Sequence, residues 1–342
     1  MKKPLQHFLE TFSPGKDLTA REAVEFFEAL QTEIEDENLI AAALTAFEAK
    51  GATIDEIFAM AKLMRGRAVK VSSKHKIFVD VVGTGGSKAK TFNVSTAAAF
   101  VVAGSGLPVA KHGNRAATSK SGSADVLAVL GVNPAVDASK AEKCLNEIDI
   151  CFMFAPKFHA LSPVLGKVRR SLGIPTIFNN LGPLSNPAGA PHQVIGVWKP
   201  DLVEKTAHVL ARLGTERSWV VHGSDGLDEV SLYGETSVAE ITGDEVEFFQ
   251  ISPADFGIKN SAQGSFPKCS AEESARIILE VFSGRERHEN ARNLILINAA
   301  AAIYVAGRET NLRHAVESAR ASLDDGKALE KLQNLIEFTN NE

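Results

Sequence analysis

Ile77-Phe78-Val79-Asp80-Val81-Val82-Gly83-Thr84-Gly85-Gly86-Ser87-Lys88-Ala89-Lys90-Thr91-Phe92-Asn93-Val94-Ser95-Thr96 is the stretch that decides the fold. A β-branched, apolar run stops at Gly83. Three glycines fall within four positions, hydroxyls and amides follow, and then comes an Ala/Val/Phe-rich segment of helical character from about 94 to 104. A strand that ends in glycines just before a helix start suits an anion. Bare backbone N–H groups can approach it closely, and the helix dipole adds partial positive charge. The loop is not a dinucleotide fingerprint, since Lys88 stands where the third glycine is required, and no Gly-Lys-Ser/Thr of a Walker A loop follows. Taken alone, a Gly-Thr-Gly-Gly turn is more often a tight strand-to-helix connection with no ligand.

Outward from this stretch, β-rich runs alternate with helical ones. The strands read Ile77–Val82, Leu107–Ala110, Ile150–Phe154, Val194–Trp198, Ser218–His222 and Val246–Ile251. Helices are expected near 94–104, 122–130, 139–148, 158–172 and 201–213, and again from Ser270 to Phe338. The alternation predicts an α/β fold with a mainly parallel central sheet flanked by helices. Residues 1–72 read differently. Thr19-Ala20-Arg21-Glu22 and Thr53-Ile54-Asp55-Glu56 have capping-box spacing, apolar residues follow at helical intervals, and Gly51 is placed to end a helix. A small all-helical N-terminal domain is therefore expected before an α/β domain spanning 73–342. Such a helical layer exposes an apolar face suited to dimerisation.

Bulk properties set limits. The chain has 342 residues, 44% of them apolar, 23% charged, and a formal net charge of -5. That is an ordinary globular composition, and a nucleic-acid binder would more often be basic. No apolar run reaches the length of a membrane span, and the first residues lack the apolar core of a signal peptide. Three cysteines (Cys144, Cys151, Cys269) show no metal-type pairing. A cytoplasmic location follows as an expectation.

Three further segments carry chemistry. Lys111, His112, Asn114, Arg115, Thr118, Ser119, Lys120 and Ser123 crowd thirteen positions at another strand-to-helix junction, which fits an extended polyanion. Such loops gather beyond the carboxyl ends of parallel strands, so this one can face the glycine loop. His222-Gly223-Ser224-Asp225-Gly226-Leu227-Asp228-Glu229 follows a strand. Asp228 and Glu229 could share Mg²⁺ with a phosphate-bearing substrate, although an isolated Asp-Glu pair is more often a solvated turn. Lys167 to Pro187 ends a helix with Arg169 and Arg170, where the dipole favours cations, and an arginine there can also clamp a carboxylate.

Taken together, Gly83–Thr96, Lys111–Ser123, Arg169–Pro187 and His222–Glu229 resemble the anthranilate phosphoribosyltransferase family over nearly the whole chain, and the Asn298–Ala302 run is also similar. The Lys-His-Gly-Asn-Arg and Leu-Gly-Pro-Leu…Asn-Pro blocks are its specific marks. The resemblance implies transfer of the phosphoribosyl group of 5-phosphoribosyl 1-pyrophosphate to the amine of anthranilate, a step of tryptophan biosynthesis. It also implies the fold of pyrimidine nucleoside phosphorylases, a homodimer, and a helical domain joined by a segment near 165–190. Carried over by position, it implies that Gly83, Gly86, Ser87, Thr91, Asn93, Val94, Ser95, Thr96, Lys111, His112, Gly113, Asn114, Arg115, Ser119 and Ser123 line the phosphoribosyl pyrophosphate site. Gly83, Asn114 and Arg169 would meet anthranilate. Ser95, Asp228 and Glu229 would hold Mg²⁺, as two ions brought in part by the pyrophosphate. Lys111, His112 and Asn114 are the catalytic candidates, with no histidine expected to be indispensable. Ser87 departs from the family pattern, which usually has Asp there; a carboxylate at that place could touch the metal or the ribose pyrophosphate. Two other readings stand beside this one: a pyrimidine nucleoside phosphorylase-like enzyme, and a non-catalytic nucleic-acid-binding relative on the same scaffold.

Overall fold

The computed structural model describes residues 4–32, 36–87, 89, 91–116, 120–259, 269–284 and 288–341. The chain opens with four helices: α1 (Pro4–Phe12), α2 (Ala20–Ala29), α3 (Glu37–Lys50) and α4 (Ile54–Arg67). Both expected capping boxes form, Thr19 with Glu22 and Thr53 with Glu56, and α3 ends on Gly51 at φ 81°.

The α/β part follows as β1 (Val79–Gly83), α5 (Val94–Gly104), β2 (Val109–Gly113), α6 (Ser123–Val129), α7 (Ala138–Ile148) and β3 (Ile150–Phe154). Next come α8 (Ala155–Phe158), α9 (Pro163–Leu172) and α10 (Ile177–Leu181), then β4 (His192–Gly196), α11 (Asp201–Arg212), β5 (Arg217–Gly223), β6 (Thr236–Thr242) and β7 (Glu245–Ile251). Four helices close the chain: α12 (Ala271–Phe282), α13 (Glu289–Val305), α14 (Leu312–Asp324) and α15 (Lys327–Asn340).

Two details depart from the sequence reading. The helix expected over 158–172 is split into α8 and α9. Pro163 has no N–H to continue α8 and disfavours a helical Ser162, so it starts a new helix instead. β6 was not anticipated: Thr236, Val238, Ile241 and Thr242 are β-branched, but Ser237, Ala239 and Glu240 interrupt them. It is secured by a two-residue hairpin, Gly243-Asp244, with Gly243 at φ 59° and Thr242 paired with Glu245.

The seven strands lie in the order β3-β2-β1-β4-β5-β6-β7. The first five are parallel and the last two antiparallel. The winding direction reverses between β1 and β4, and the crevice at such a switch point opens beyond the carboxyl ends of the strands. Alternate residues divide the interior in two. Val79, Val81, Val194, Trp219 and Val221 face a core built with α5 and α13. Val82, Ile195, Val220 and Ile241 face the other, which also contains α11 and the N-terminal helices. Helices α5 and α13 are buried on all sides, so small residues let them approach their neighbours. A Cβ on Gly104 would lie 2.2 Å from Ser322 Oγ and 2.9 Å from the Ala328 nitrogen. Leu165, Val168, Ile177, Phe178 and Leu181 of α9 and α10 belong to the same core as α1–α4, with the Phe27 and Phe178 rings 5.5 Å apart. This contact stands the helical layer over the open ends of the strands.

Candidate active site

A cavity of about 250 Å³ occupies the switch-point crevice. Its floor is the glycine loop leaving β1. Gly85 and Gly86 take left-handed φ values of 63° and 81°, which turn the chain sharply. Gly83 and Gly196 serve another purpose, since the acidic loop after β5 crosses directly above them. A Cβ on Gly83 would lie 2.8 Å from Asp228 Oδ2, and one on Gly196 would lie 1.8 Å from the Asp228 carbonyl oxygen. The Gly85 N–H donates to Asp228 Oδ2 at 3.0 Å, the Thr84 N–H donates to the Gly196 carbonyl at 2.9 Å, and Asn179 Nδ2 donates to the Thr84 carbonyl at 3.0 Å. At the end of this loop, α5 presents its N-terminus to the cavity. Asn93 is the N-cap residue but makes no side-chain cap bond; its Oδ1 accepts from Ser121 Oγ at 2.8 Å and so ties the two polar loops together.

The second wall follows β2. Lys111 is buried, with Nζ 2.5 Å from the Val81 carbonyl oxygen and 3.4 Å from Ser95 Oγ. Burial draws its pKa below the usual lysine value, while Asp80 and Glu229 pull it back up. Asp80 is fully buried behind it. Its carboxyl is pushed up to about 6 by burial, against Lys111, the Asn186 amide at 2.8 Å and the His112 N–H at 3.2 Å. His112 stays neutral: burial, then the His159 ring 5.0 Å away, lower its pKa to about 3. Its Nδ1 donates to the Gly182 carbonyl at 3.2 Å, and Nε2 is buried with no hydrogen-bond partner. Asp125 shapes the rest of the loop, with Oδ2 accepting from the N–H groups of Ala116 at 2.9 Å and Gly122 at 3.0 Å.

The third wall is the acidic pair. Glu229 is pushed up to about 8, by burial first and by Asp228 second, while Lys111 and the Ser95 backbone N–H oppose the shift. Among the described residues, no three Asp, Glu, His or Cys side chains form a closed metal cage. Two adjacent carboxylates with one incompletely balanced charge, beside the Ser95 hydroxyl, are what Mg²⁺ accepts when a phosphate-bearing molecule supplies further oxygens. The donor set therefore fits that ion. The loop is anchored from behind by Asn298 on α13. Its Oδ1 accepts from the Val230 N–H at 2.9 Å, and its Nδ2 donates to the Val230 carbonyl at 3.0 Å.

Met64, Leu161, Phe178, Pro183 and the cation Arg169 complete the lining. The guanidinium lies 5.0 Å from the Phe178 ring centroid, and Nε is buried without a hydrogen-bond partner. Burial, with a smaller contribution from Arg170, lowers its pKa to about 10. A half-buried cation whose Nε lacks an acceptor is a seat for an anionic group.

Of the positions singled out from sequence, Gly83, Thr91, Asn93, Ser95, Lys111, His112, Gly113, Asn114, Arg115, Ser123, Arg169, Asp228 and Glu229 line this one cavity. Four do not. Gly86 packs beneath Pro175, whose Cγ would be 2.7 Å from an added Cβ. Ser87 turns inward, its Oγ 2.5 Å from the Gly226 carbonyl oxygen and 2.8 Å from that of Ala89. Val94 and Thr96 are buried within the packing of α5. Ser119, with Lys88, Lys90 and Thr118, lies outside the described residues. Met64, Leu161 and Asn179 were not anticipated. Asn179 lay within a quoted block, but nothing local to Met64 signals its place, which depends on α4 standing over the strand ends.

The chain matches the helical bundle domain of a glycosyl transferase family over residues 6–68 and the a/b domain of that family over residues 75–329. It is 45% identical over 327 residues to the anthranilate phosphoribosyltransferase of Pelotomaculum thermopropionicum, covering 96% of this chain and 94% of that one. The enzyme of the same name from Petrotoga mobilis is 41% identical, with 98% and 96% covered. Among solved structures, anthranilate phosphoribosyltransferase from Thermus thermophilus superposes with a TM-score of 0.87 at 35% identity, covering 98% of this chain and 99% of that one. The Saccharomyces cerevisiae enzyme in complex with PRPP and Mg gives 0.87 at 30% identity, with 99% and 98% covered. The chain belongs to the anthranilate phosphoribosyltransferase family.

Proposed function

We propose that this protein transfers the phosphoribosyl group of 5-phosphoribosyl 1-pyrophosphate to the amine of anthranilate, giving N-(5-phosphoribosyl)anthranilate and pyrophosphate for tryptophan biosynthesis. The observation that carries this reading is what one cavity brings together: the glycine loop, Lys111 and an acidic pair suited to Mg²⁺, with the half-buried Arg169, whose Nε has no hydrogen-bond partner. The first group suits a pyrophosphate, and Arg169 suits the carboxylate of an aromatic acceptor.

In the reaction the amine nitrogen bonds to the anomeric carbon, the bond from that carbon to the pyrophosphate oxygen breaks, and the amine gives up one proton. An aromatic amine is uncharged at neutral pH, so no strong base is needed before attack. The main demand is charge stabilisation on the departing pyrophosphate. Lys111 stands 3.4 Å from the Ser95 hydroxyl, and Asp80 and Glu229 oppose the loss of its charge on burial. Ser95, Asp228 and Glu229 would hold Mg²⁺, which when bound neutralises pyrophosphate charge. Arg169 and Asn114 position the acceptor, and closing it in apolar surroundings brings the reacting atoms together. His112, neutral and poor as a base, is not required for proton transfer.

The uncompensated Arg169 also speaks against the phosphorylase-like reading, whose base pocket has no carboxylate to clamp. The acidic balance of the chain speaks against a nucleic-acid-binding relative. We assign the helical layer, residues 1–72 with the segment near 165–190, to dimerisation, and the protein to the cytoplasm; no helix among the described residues is long and apolar enough to cross a membrane. The direct test is loss of anthranilate fluorescence on adding phosphoribosyl pyrophosphate and Mg²⁺. Absence of any loss at high protein concentration refutes the assignment.

A further inference from the structure

The acidic segment is held at several points. Asn298 pairs with Val230, the Gly85 N–H with Asp228, the Ser95 N–H with Glu229, and the Ser87 hydroxyl reaches Gly226. The Ser87 tie is chemically distinct. Ser87 is 2% exposed and sits on the glycine loop. Its Oγ lies within bonding distance of two carbonyl oxygens, 2.5 Å from Gly226 and 2.8 Å from Ala89, so its single proton is shared between the two loops. Gly226 closes a tight turn, donating to the Gly223 carbonyl at 2.8 Å with φ at 82°, and the Gly223 N–H donates to the Leu227 carbonyl at 2.9 Å. Asp228 follows two residues later. Tension on the Gly226 carbonyl therefore reaches the carboxylates through a stiff turn.

We propose that Ser87 is a positioning residue: its hydroxyl clasps the glycine loop to the turn at Gly226 and so sets the seat of Asp228 and Glu229 for a divalent cation carried by pyrophosphate. The inference rests on the function proposed above. A carboxylate at this position could not serve in the same way, because an ionised Asp has no proton to donate and would face two carbonyl oxygens.

Two carbonyls lose their donor in Ser87→Ala. Manganese(II) binding in the presence of inorganic pyrophosphate, followed by electron paramagnetic resonance, is expected to weaken about tenfold, within what one hydrogen bond is worth. Amide hydrogen exchange should rise at 83–87 and 224–230. The KM for phosphoribosyl pyrophosphate and the Mg²⁺ requirement should rise together, while the anthranilate KM stays within about twofold. Ser87→Thr, which keeps the hydroxyl, should restore manganese binding, and Ser87→Asp should bind more weakly than Ser87→Ala. Should Ser87→Ala not fold, Ser87→Cys fills the same space with a weaker donor and replaces it. The proposal is overturned if Ser87→Ala binds manganese as tightly as wild type, or if Ser87→Asp binds it more tightly. Manganese binding and hydrogen exchange do not depend on turnover. If the wild type fails to consume anthranilate, the proposed function falls and the clasp is still tested.

Discussion

Arg169 sets stability and function against each other, and Arg169→Met separates them. The side chain is drawn out of water against Phe178, and burial lowers its pKa to about 10. A displacement of that size means that keeping the cation costs the folded protein roughly 3 kcal/mol. Methionine fills most of the same space without a charge. It gives up the attraction to Phe178, worth about 1–2 kcal/mol at a desolvated site. The folded state should therefore be unchanged or more stable by up to about 2 kcal/mol, read as a shift in urea midpoint at constant m-value. The effect on anthranilate runs the other way. Removing one partner of a hydrogen-bonded charge pair out of water costs about 2–5 kcal/mol, so kcat/KM for anthranilate should fall by about 30- to 5,000-fold with little change in KM for phosphoribosyl pyrophosphate. Aniline, which lacks the carboxylate, supplies the control, because the ratio of anthranilate to aniline turnover should collapse by the same factor. If Arg169→Met lost more than about 2 kcal/mol of stability and left the anthranilate KM within about threefold of wild type, Arg169 would be a structural cation and its assignment to the carboxylate would fail.

Three further perturbations probe the rest of the cavity wall. Folded Asp80 titrates near 6, above the ordinary aspartate range, so the native state keeps a proton that the unfolded chain has released. Stability should thus fall as pH rises from about 4 to about 6, and Asp80→Asn should flatten that slope in urea unfolding at the two ends of the window. Because Asp80 is the larger influence holding the Lys111 pKa up, the same variant should also move the alkaline limb of kcat/KM to lower pH. Asn298→Leu strands the N–H and C=O of Val230 in the interior, at about 1–3 kcal/mol each, and should lower both the thermal midpoint and Mg²⁺ affinity. Gly196→Ala puts a methyl group 1.8 Å from the Asp228 carbonyl oxygen, so the acidic loop must lift and Mg²⁺-dependent turnover should drop at least about tenfold even where the fold survives in circular dichroism.

The architecture was readable because its signals are local. A β-branched run that halts at Gly83, and capping boxes at Thr19 and Thr53, state strand ends and helix starts within a few residues. The errors came where neighbouring structure decides. Thr236–Thr242 is a strand because β5 offers it an edge along the whole register from Arg217↔Thr242 to Gly223↔Thr236, and its own composition hardly says so. Its one local sign, Gly243-Asp244 as a two-residue hairpin turn, was present but stood between segments of weak pattern. The break at Pro163 was equally local and follows from a missing N–H.

The cavity divides along the same line. Residues that approach a phosphate stand on loops at strand ends, where glycines, hydroxyls and cations cluster in sequence, so the loops of Gly83, Ser95, Lys111 and the Asp228–Glu229 pair stood out, and the family resemblance supplied the roles of these residues. Met64, Arg169 and Phe178 come from α4, α9 and α10, and Met64 and Phe178 look like any other helical core residues until the helical layer is set over the sheet. Ser87 shows the opposite limit. Its position in the glycine loop marks it as a cavity residue, but its rotamer is decided by a carbonyl 139 residues away. A hydroxyl satisfied in the interior cannot also serve a ligand with the same proton. Sequence can therefore place a side chain near a reaction, but whether it faces the substrate or supports the residues that do depends on which acceptors the fold brings within reach.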